Sequence, residues 1–350
     1  MVSKLPIFCH TQRSFAEAML KALGKGERHA EKLYADWFRK GKVSCEAEWV
    51  EPQARALVQT MIELTDFTLP SLSRELTEGD AKKFLLKFVD GRESETVLIP
   101  MRAGITLCVS SQVGCKMGCA FCETAKMGLV RSLNSGEIVS QIFYAMHVMK
   151  KPVRNLVFMG MGEPFDNFDG VKEAICVLTD PAGLGFGPSR ITVSTSGHVE
   201  GIQRFTQEMD PAINLAVSVN APNDLIRRRL MPVNRRWDMR ALKEALLSYS
   251  AHPRREVFAE YVLIKGINDS LEAADELASY LEGVRARVNL IPYNPQSRGV
   301  FLPPEEGVIT CFAQKLRSRG YKTYLRTTKG QQIMAACGQL GTKSRLQVVS

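Results

Sequence analysis

From about residue 105 the sequence alternates short apolar runs with amphipathic stretches, and this rhythm restricts the fold more than any other feature. Runs at 105–109, 155–159, 190–194, 213–219, 256–264 and 287–291 read as strands. Between them, 136–149, 171–178, 199–208, 239–250 and 271–281 carry helical apolar spacing, the last opened by the start signal Asp269-Ser270. Six strands alternating with helices predict an α/β fold with a parallel sheet, open or closed into a partial barrel. In either form the chemistry collects in loops at the C-terminal ends of the strands.

The flanks differ. Residues 1 to about 90 read as an accessory module: 15–20 and 30–37 have helical spacing, and 83–90 with 93–100, split by Asp90-Gly91-Arg92, alternate like a hairpin reaching about 104. The core spans 105–295. Residues 296–350 form an extension with a helix at 305–319, a strand at 322–326 and a short Gly-flanked segment.

The first strand runs into Cys115-Lys116-Met117-Gly118-Cys119-Ala120-Phe121-Cys122. Three thiolates this close, with a glycine between them, can take three corners of a cuboidal iron–sulfur cluster and leave the fourth iron open to a small molecule. A structural zinc site prefers four closed ligands, and no matching second pair stands here. Zinc and a chance grouping of core cysteines are the alternatives. The chain has nine cysteines, and an odd number fits metal binding or catalysis in a reducing compartment. Residues 1–6 lack the apolar core of a signal peptide, and no run approaches the ~20 apolar residues of a membrane span. A cytoplasmic, membrane-free protein is the expectation.

Gly160-Met161-Gly162-Glu163-Pro164 ends the second strand, where two glycines let the backbone approach a ligand. Later strand ends offer Ser194-Thr195-Ser196-Gly197, Ser218-Val219-Asn220 and 289–295. Their hydroxyls and amides suit a ribose or adenine; singly, each is more often a turn or cap.

A C-x3-C-x2-C triplet after the first strand of a βα series resembles the radical S-adenosylmethionine superfamily, over roughly residues 105–295. Phe121 stands where such proteins commonly carry an aromatic. Two further segments, Thr106 to Cys115 around Cys108 and Ala335-Ala336-Cys337-Gly338-Gln339-Leu340, sharpen the likeness. With Gly160–Pro164 and Ser218–Asp224, they resemble the RlmN/Cfr family of radical RNA methyltransferases, from about 93 to 342. RlmN acts at C2, and Cfr at C8, of an adenine in 23S ribosomal RNA.

The resemblance implies a partial (β/α)6 barrel, a 4Fe–4S cluster on Cys115, Cys119 and Cys122, and two S-adenosylmethionine molecules per turnover. It implies that Cys337 carries a methyl group, that Glu95 removes the ring proton, and that Cys108 resolves the RNA adduct through a transient disulfide. Cofactor contacts carried over are Gly162, Glu163, Ser194, Ser218, Val219, Asn220 and Asn294. Implied partners are RNA (ribosomal, with transfer RNA as a second candidate) and an electron donor such as flavodoxin or ferredoxin, with the enzyme a monomer. C2 of adenine lies between two ring nitrogens and is electron-poor, so it cannot attack a sulfonium methyl; a radical route avoids that obstacle.

There are departures. Asn220 stands where the family usually has histidine, Gln331-Gln332 where acidic residues are usual, and the N-terminal module matches only faintly through 25–41. Cys9, Cys45, Cys176 and Cys311 are expected to be buried structural thiols.

Charge supports an RNA partner. Lys and Arg total 46 against 37 Asp and Glu, and no acidic residue follows Glu306, while eight basic ones do. This field is expected to act around Cys337 and lower its thiol pKa. A second cluster, Arg227-Arg228-Arg229 followed by Arg235, Arg236 and Arg240, reads either as a solvated face or as a further contact for a polyanionic partner. C2 methylation of RNA adenine is the leading expectation. C8 methylation or another RNA target, a non-catalytic iron–sulfur RNA binder, and a radical enzyme acting on peptides or small molecules are the alternatives.

Overall fold

Ten strands hydrogen-bond into one continuous sheet in a computed structural model that describes residues 4–296, 299–326 and 329–341. The N-terminal elements are β1 (Leu5–Pro6), α1 (Gln12–Leu23), α2 (Glu27–Lys40), α3 (Arg55–Leu64) and β2 (Thr65–Asp66). An antiparallel meander follows: β3 (Ser71–Glu78), β4 (Ala81–Lys87), β5 (Glu93–Met101) and β6 (Gly104–Cys108). A short ribbon, β7 (Gln112–Cys115) and β8 (Gly128–Ser132), brackets the small helix α4 (Glu123–Lys126).

Helix and strand then alternate: α5 (Ser135–Phe143), β9 (Val153–Phe158), α6 (Phe168–Thr179), β10 (Ile191–Thr195), α7 (Val199–Glu208) and β11 (Asn214–Ser218). The series continues with α8 (Asp224–Leu230), α9 (Met239–Ser250), β12 (Val257–Leu263), α10 (Leu271–Tyr280), β13 (Ala286–Pro292), α11 (Glu306–Ser318) and β14 (Lys322–Leu325).

The spatial order is β14-β13-β12-β11-β10-β9-β6-β5-β4-β3, and every neighbouring pair from β6 to β14 is parallel. Each crossover moves one strand along, as parallel pairing joined by helices requires. Side chains from β9 to β13 line one cavity, so the sheet curves into the expected partial barrel, with β14 as a seventh parallel strand. α7 shows how the sequence does this: Val199, Ile202 and Phe205 recur at helical spacing and are all buried against the sheet.

The hairpin expected at the module's edge is present, and β3, unread in the sequence, adds a further strand. β5 pairs with β6 and β6 with β9, so no break in the sheet marks residue 90. Nor does the core divide there. Trp37 of α2 stacks on Phe143 of α5 with ring centroids 4.8 Å apart, and Phe8 meets Phe143 edge-on at 5.1 Å. The helix expected over 136–149 ends as α-helix at Phe143 and finishes in a π turn, Tyr144–Val148. No helix among the described residues is long and apolar enough to cross a membrane.

Candidate active site

The cysteine loop is shaped by backbone before any thiol is considered. Gly114, at φ +78°, lies within β7 just before Cys115; a Cβ there would sit 1.9 Å from the carbonyl oxygen of Gly128, so only glycine fits. Gly118 (φ +71°) and a Cys122 N–H to Cys119 carbonyl bond of 3.1 Å fold the loop back. The N–H of Ala120 donates to the Leu230 carbonyl at 2.9 Å and anchors the loop to α8. Cys115, Cys119 and Cys122 then line one cavity of about 1010 Å³, partly open to solvent.

Among the described residues no group of three or more His, Cys, Asp or Glu side chains is gathered tightly enough for a single ion. Thiols spread around a cavity wall suit a polynuclear cluster instead. Burial raises all three, helped by repulsion from neighbouring thiols at Cys115 and Cys119, with Cys115 pushed to about 12 and Cys119 well above the usual thiol value. Iron would offset that cost by taking the thiolates as ligands.

Opposite this loop, Gly160 and Gly162 press the end of β9 against the β6–β7 turn. Cβ atoms there would meet the Val109 carbonyl oxygen and the Gln112 side chain, each at 2.6 Å. Glu163 is buried and accepts from the N–H groups of Ser196 at 2.7 Å and Phe165 at 3.1 Å. Gly162, Glu163, Ser194, Ser218 and Asn294 all border the cavity. Ser196 borders it too, its buried hydroxyl beside the Glu163 carboxylate.

Val219 and Asn220 do not border the cavity. Val219 is packed under α9 and α10. Asn220, at φ +55°, accepts from the Val262 N–H at 2.8 Å and donates to the Met231 sulfur at 3.3 Å, so its side chain holds strand ends together.

Arg227 was hidden in a run that reads as a solvated face. It is wholly buried and donates to the carbonyls of Val219 (3.1 Å), Ser218 (3.1 Å) and Ser196 (2.7 Å) and to Asn234 Oδ1 (3.0 Å). The ends of β10 and β11 are therefore pinned by one guanidinium. Its neighbours Arg228 and Arg229 are exposed as expected, and only helical position on α8 separates the two fates.

Residues 329–341 close over the sheet. Asn294 Nδ2 donates to the Cys337 carbonyl at 3.1 Å, Gln339 Nε2 to that of Pro295 at 2.8 Å, and Thr124 Oγ1 to that of Leu340 at 2.7 Å. The Gly338 carbonyl accepts from the Glu123 N–H at 2.7 Å, tying Cys337 to the cysteine loop. Cys337 opens onto the cavity, while Cys108 lies buried under Ile333, Ala335 and Leu340 beside Val97 and Met161. Glu95 is buried on β5 behind the cavity wall, accepting from the Gly341 N–H and paired with Lys83 at 3.2 Å.

The basic extension corrects one expectation. Enclosure raises the Cys337 thiol, and the opposing pull comes from Arg326. Lys315 and Arg319 instead pair with Asp275 on α10, and Lys343 and Arg345 lie outside the described residues. Dehydration of the sulfur within the cavity outweighs the pull of Arg326. Arg326 also sits 3.3 Å from Glu260, a buried carboxylate of β12 that accepts from Asn289 Nδ2 at 2.7 Å. Both border the cavity and neither stood out in the sequence; an isolated glutamate in an apolar strand was the available signal. Cys176 and Cys311 are exposed, and Cys9 and Cys45 half-buried, so none of the four is the fully buried thiol expected.

Comparison with known proteins agrees with this geometry. Residues 109–278 match the model of the radical SAM superfamily. The chain is 50% identical over 343 residues to a probable dual-specificity RNA methyltransferase RlmN 1 of Protochlamydia amoebophila, covering 97% of this chain and 95% of that one. It is 45% identical to the dual-specificity RNA methyltransferase RlmN of Lawsonia intracellularis, over 80% of this chain and 81% of the other. The crystal structure of a radical SAM methyltransferase from Sphaerobacter thermophilus superposes with a TM-score of 0.88 at 39% identity, covering 96% of this chain and 99% of that one.

Proposed function

Because the chain belongs to the RlmN family of radical S-adenosylmethionine RNA methyltransferases, we propose that it methylates C2 of an RNA adenine with Cys337 as the methyl carrier. What supports this reading most is the meeting of two distant segments: Cys337 borders the cavity of the cysteine triplet, with Cys108 beneath the same loop. A pure iron–sulfur RNA binder has no use for that pair.

Cys115, Cys119 and Cys122 fit as ligands of a 4Fe–4S cluster, and Gly162, Glu163, Ser194, Ser196, Ser218 and Asn294 as the wall against S-adenosylmethionine. When bound, this pair supplies methyl groups and a hydrogen-abstracting adenosyl radical, two cofactor molecules being consumed per product.

The chain's own residues do the rest. Cys337, held by Asn294 through its carbonyl, accepts the methyl as a nucleophile and presents it to C2. Glu95 takes the ring proton of the adduct. Cys108 then attacks the Cys337 sulfur as its thiolate; the sulfur–carbon bond breaks, its electron pair stays on the methylene carbon of the product, which takes up a proton to complete the methyl group, and a disulfide forms. Adenines of 23S ribosomal RNA are the primary substrates in this reading, with transfer RNA second. The enzyme works as a cytoplasmic monomer served by a flavodoxin or ferredoxin.

The test is nucleoside mass spectrometry of RNA from cells with and without the gene, beside anaerobic assays of reconstituted enzyme. Loss of 2-methyladenosine is expected. Loss of 8-methyladenosine instead would move the reaction to C8, and unchanged methyladenosines with intact cofactor cleavage would sink both.

A further inference from the structure

We propose that Lys83 is a positioning residue of the methyl transfer, joining the carboxylate of Glu95 to the backbone of the loop that carries Cys337. The proposal rests on the reading of Glu95 as base and Cys337 as carrier.

Register places the group. Lys83 faces Val97, Leu85 faces Glu95, and Val97 faces Cys108 across the β4–β5–β6 ladders. Directly opposed residues share a face and side chains alternate along a strand, so 83, 95, 97 and 108 all project to one side. The loop covers that side, with Ile333, Ala335 and Leu340 packed on Val97 and Cys108.

Lys83 is 1% exposed, a rare fate for lysine. Its Nζ lies 3.2 Å from Glu95 Oε2 and donates to the Met334 carbonyl at 2.9 Å. Met334, three residues before Cys337, is a non-glycine residue at φ +51°, a strained setting that persists only where surroundings hold it. The Lys83 bond to its carbonyl is one such restraint. An apolar residue in this apolar layer would pack at lower electrostatic cost, so stability alone does not account for a buried cation here.

The base does account for it. Loop closure dehydrates Glu95, and a dehydrated carboxylate tends to stay protonated, which is useless for proton removal. Burial still holds the Glu95 carboxyl above its ordinary value; an ammonium 3.2 Å away offsets part of that shift, and the Gly341 N–H supports the carboxylate from the loop. Arg74 on β3, opposite Leu85, repels Lys83, and Glu93, two residues along β5, repels Glu95, so neighbouring charges of both signs act on the pair.

The experiment compares full-length, anaerobically reconstituted Lys83→Met, Lys83→Arg and Glu95→Gln by iron content, mass of Cys337, RNA–protein adduct and methylated product. Lys83→Met is expected to bind iron, acquire methyl on Cys337 and capture RNA, yet lose product formation by about 100-fold while adduct accumulates, as general-base loss does. Lys83→Arg is expected to recover most of the turnover. Stalling of Glu95→Gln with near-parental Lys83→Met overturns this proposal alone. Near-parental Glu95→Gln overturns the base reading and this proposal with it. If Lys83→Met cannot load iron, Lys83→Arg decides: turnover supports the proposal, and an iron-loaded variant that stalls without adduct overturns it.

Discussion

The guanidinium of Arg227 donates to the carbonyl of Ser196 at 2.7 Å from inside the core, a layer below the cavity wall. Four oxygens converge on this one side chain, and Asn234 links it onward to Asp224 at 2.6 Å. Arg227→Leu leaves all four without that donor, so the apo protein should lose ~3–5 kcal/mol in urea denaturation. S-adenosylmethionine affinity should weaken by about tenfold in calorimetry, since the Ser196 and Ser218 strand ends lose their common anchor. An unchanged denaturation midpoint would contradict this role.

Gly338 carries a separate constraint. At φ +82° its hypothetical Cβ would meet the Phe121 carbonyl oxygen at 2.9 Å, next to the third cysteine of the triplet. Gly338→Ala should therefore push Cys337 off its place and lower product formation by at least ~100-fold, the scale of a misplaced reacting group. Cofactor cleavage should persist. Counting 5′-deoxyadenosine against methylated adenine checks this, with the ratio expected to rise.

The two cysteines should fail differently. Cys337→Ala is expected to yield no methylated RNA, and Cys108→Ala to accumulate a covalent RNA–protein species visible on denaturing gels. Turnover by either variant would refute the two-cysteine route.

Burial holds Glu163 and Glu260 above the ordinary glutamate value of 4.5. The folded chain thus keeps protons that the unfolded chain has released. Their contribution to stability is complete below pH 4.5 and is lost as pH rises through the folded values. Cluster-free protein should show a urea midpoint that falls as pH rises above 4.5, and Glu260→Gln should flatten that fall.

How much of this was legible in the sequence depended on whether a feature was local. The helices over 199–208 and 239–250 occur at those bounds because their apolar spacing faces a single sheet. The cysteine triplet and the glycines of 160–162 were legible for the same reason: close spacing dictates the turn. Arg227 was misread because what decides it is long-range: the arginine is buried by strand ends it meets only after folding. Asn220 is likewise set by distant partners, its left-handed backbone bringing the side chain to Val262. The same holds for the cysteines: Cys176 and Cys311 fall on outer faces of α6 and α11, which their neighbours in sequence do not announce.

The bond from Lys83 to the Met334 carbonyl spans 251 positions of chain. Closing so long a loop carries a large entropic cost, and such contacts form late. During synthesis the hairpin and the strands up to β12 leave the ribosome well before the segment that carries Cys337 to the cavity. Cys337 is therefore expected to reach its place over Cys108 late in folding, and a chain cut before that segment is expected to keep most of its sheet.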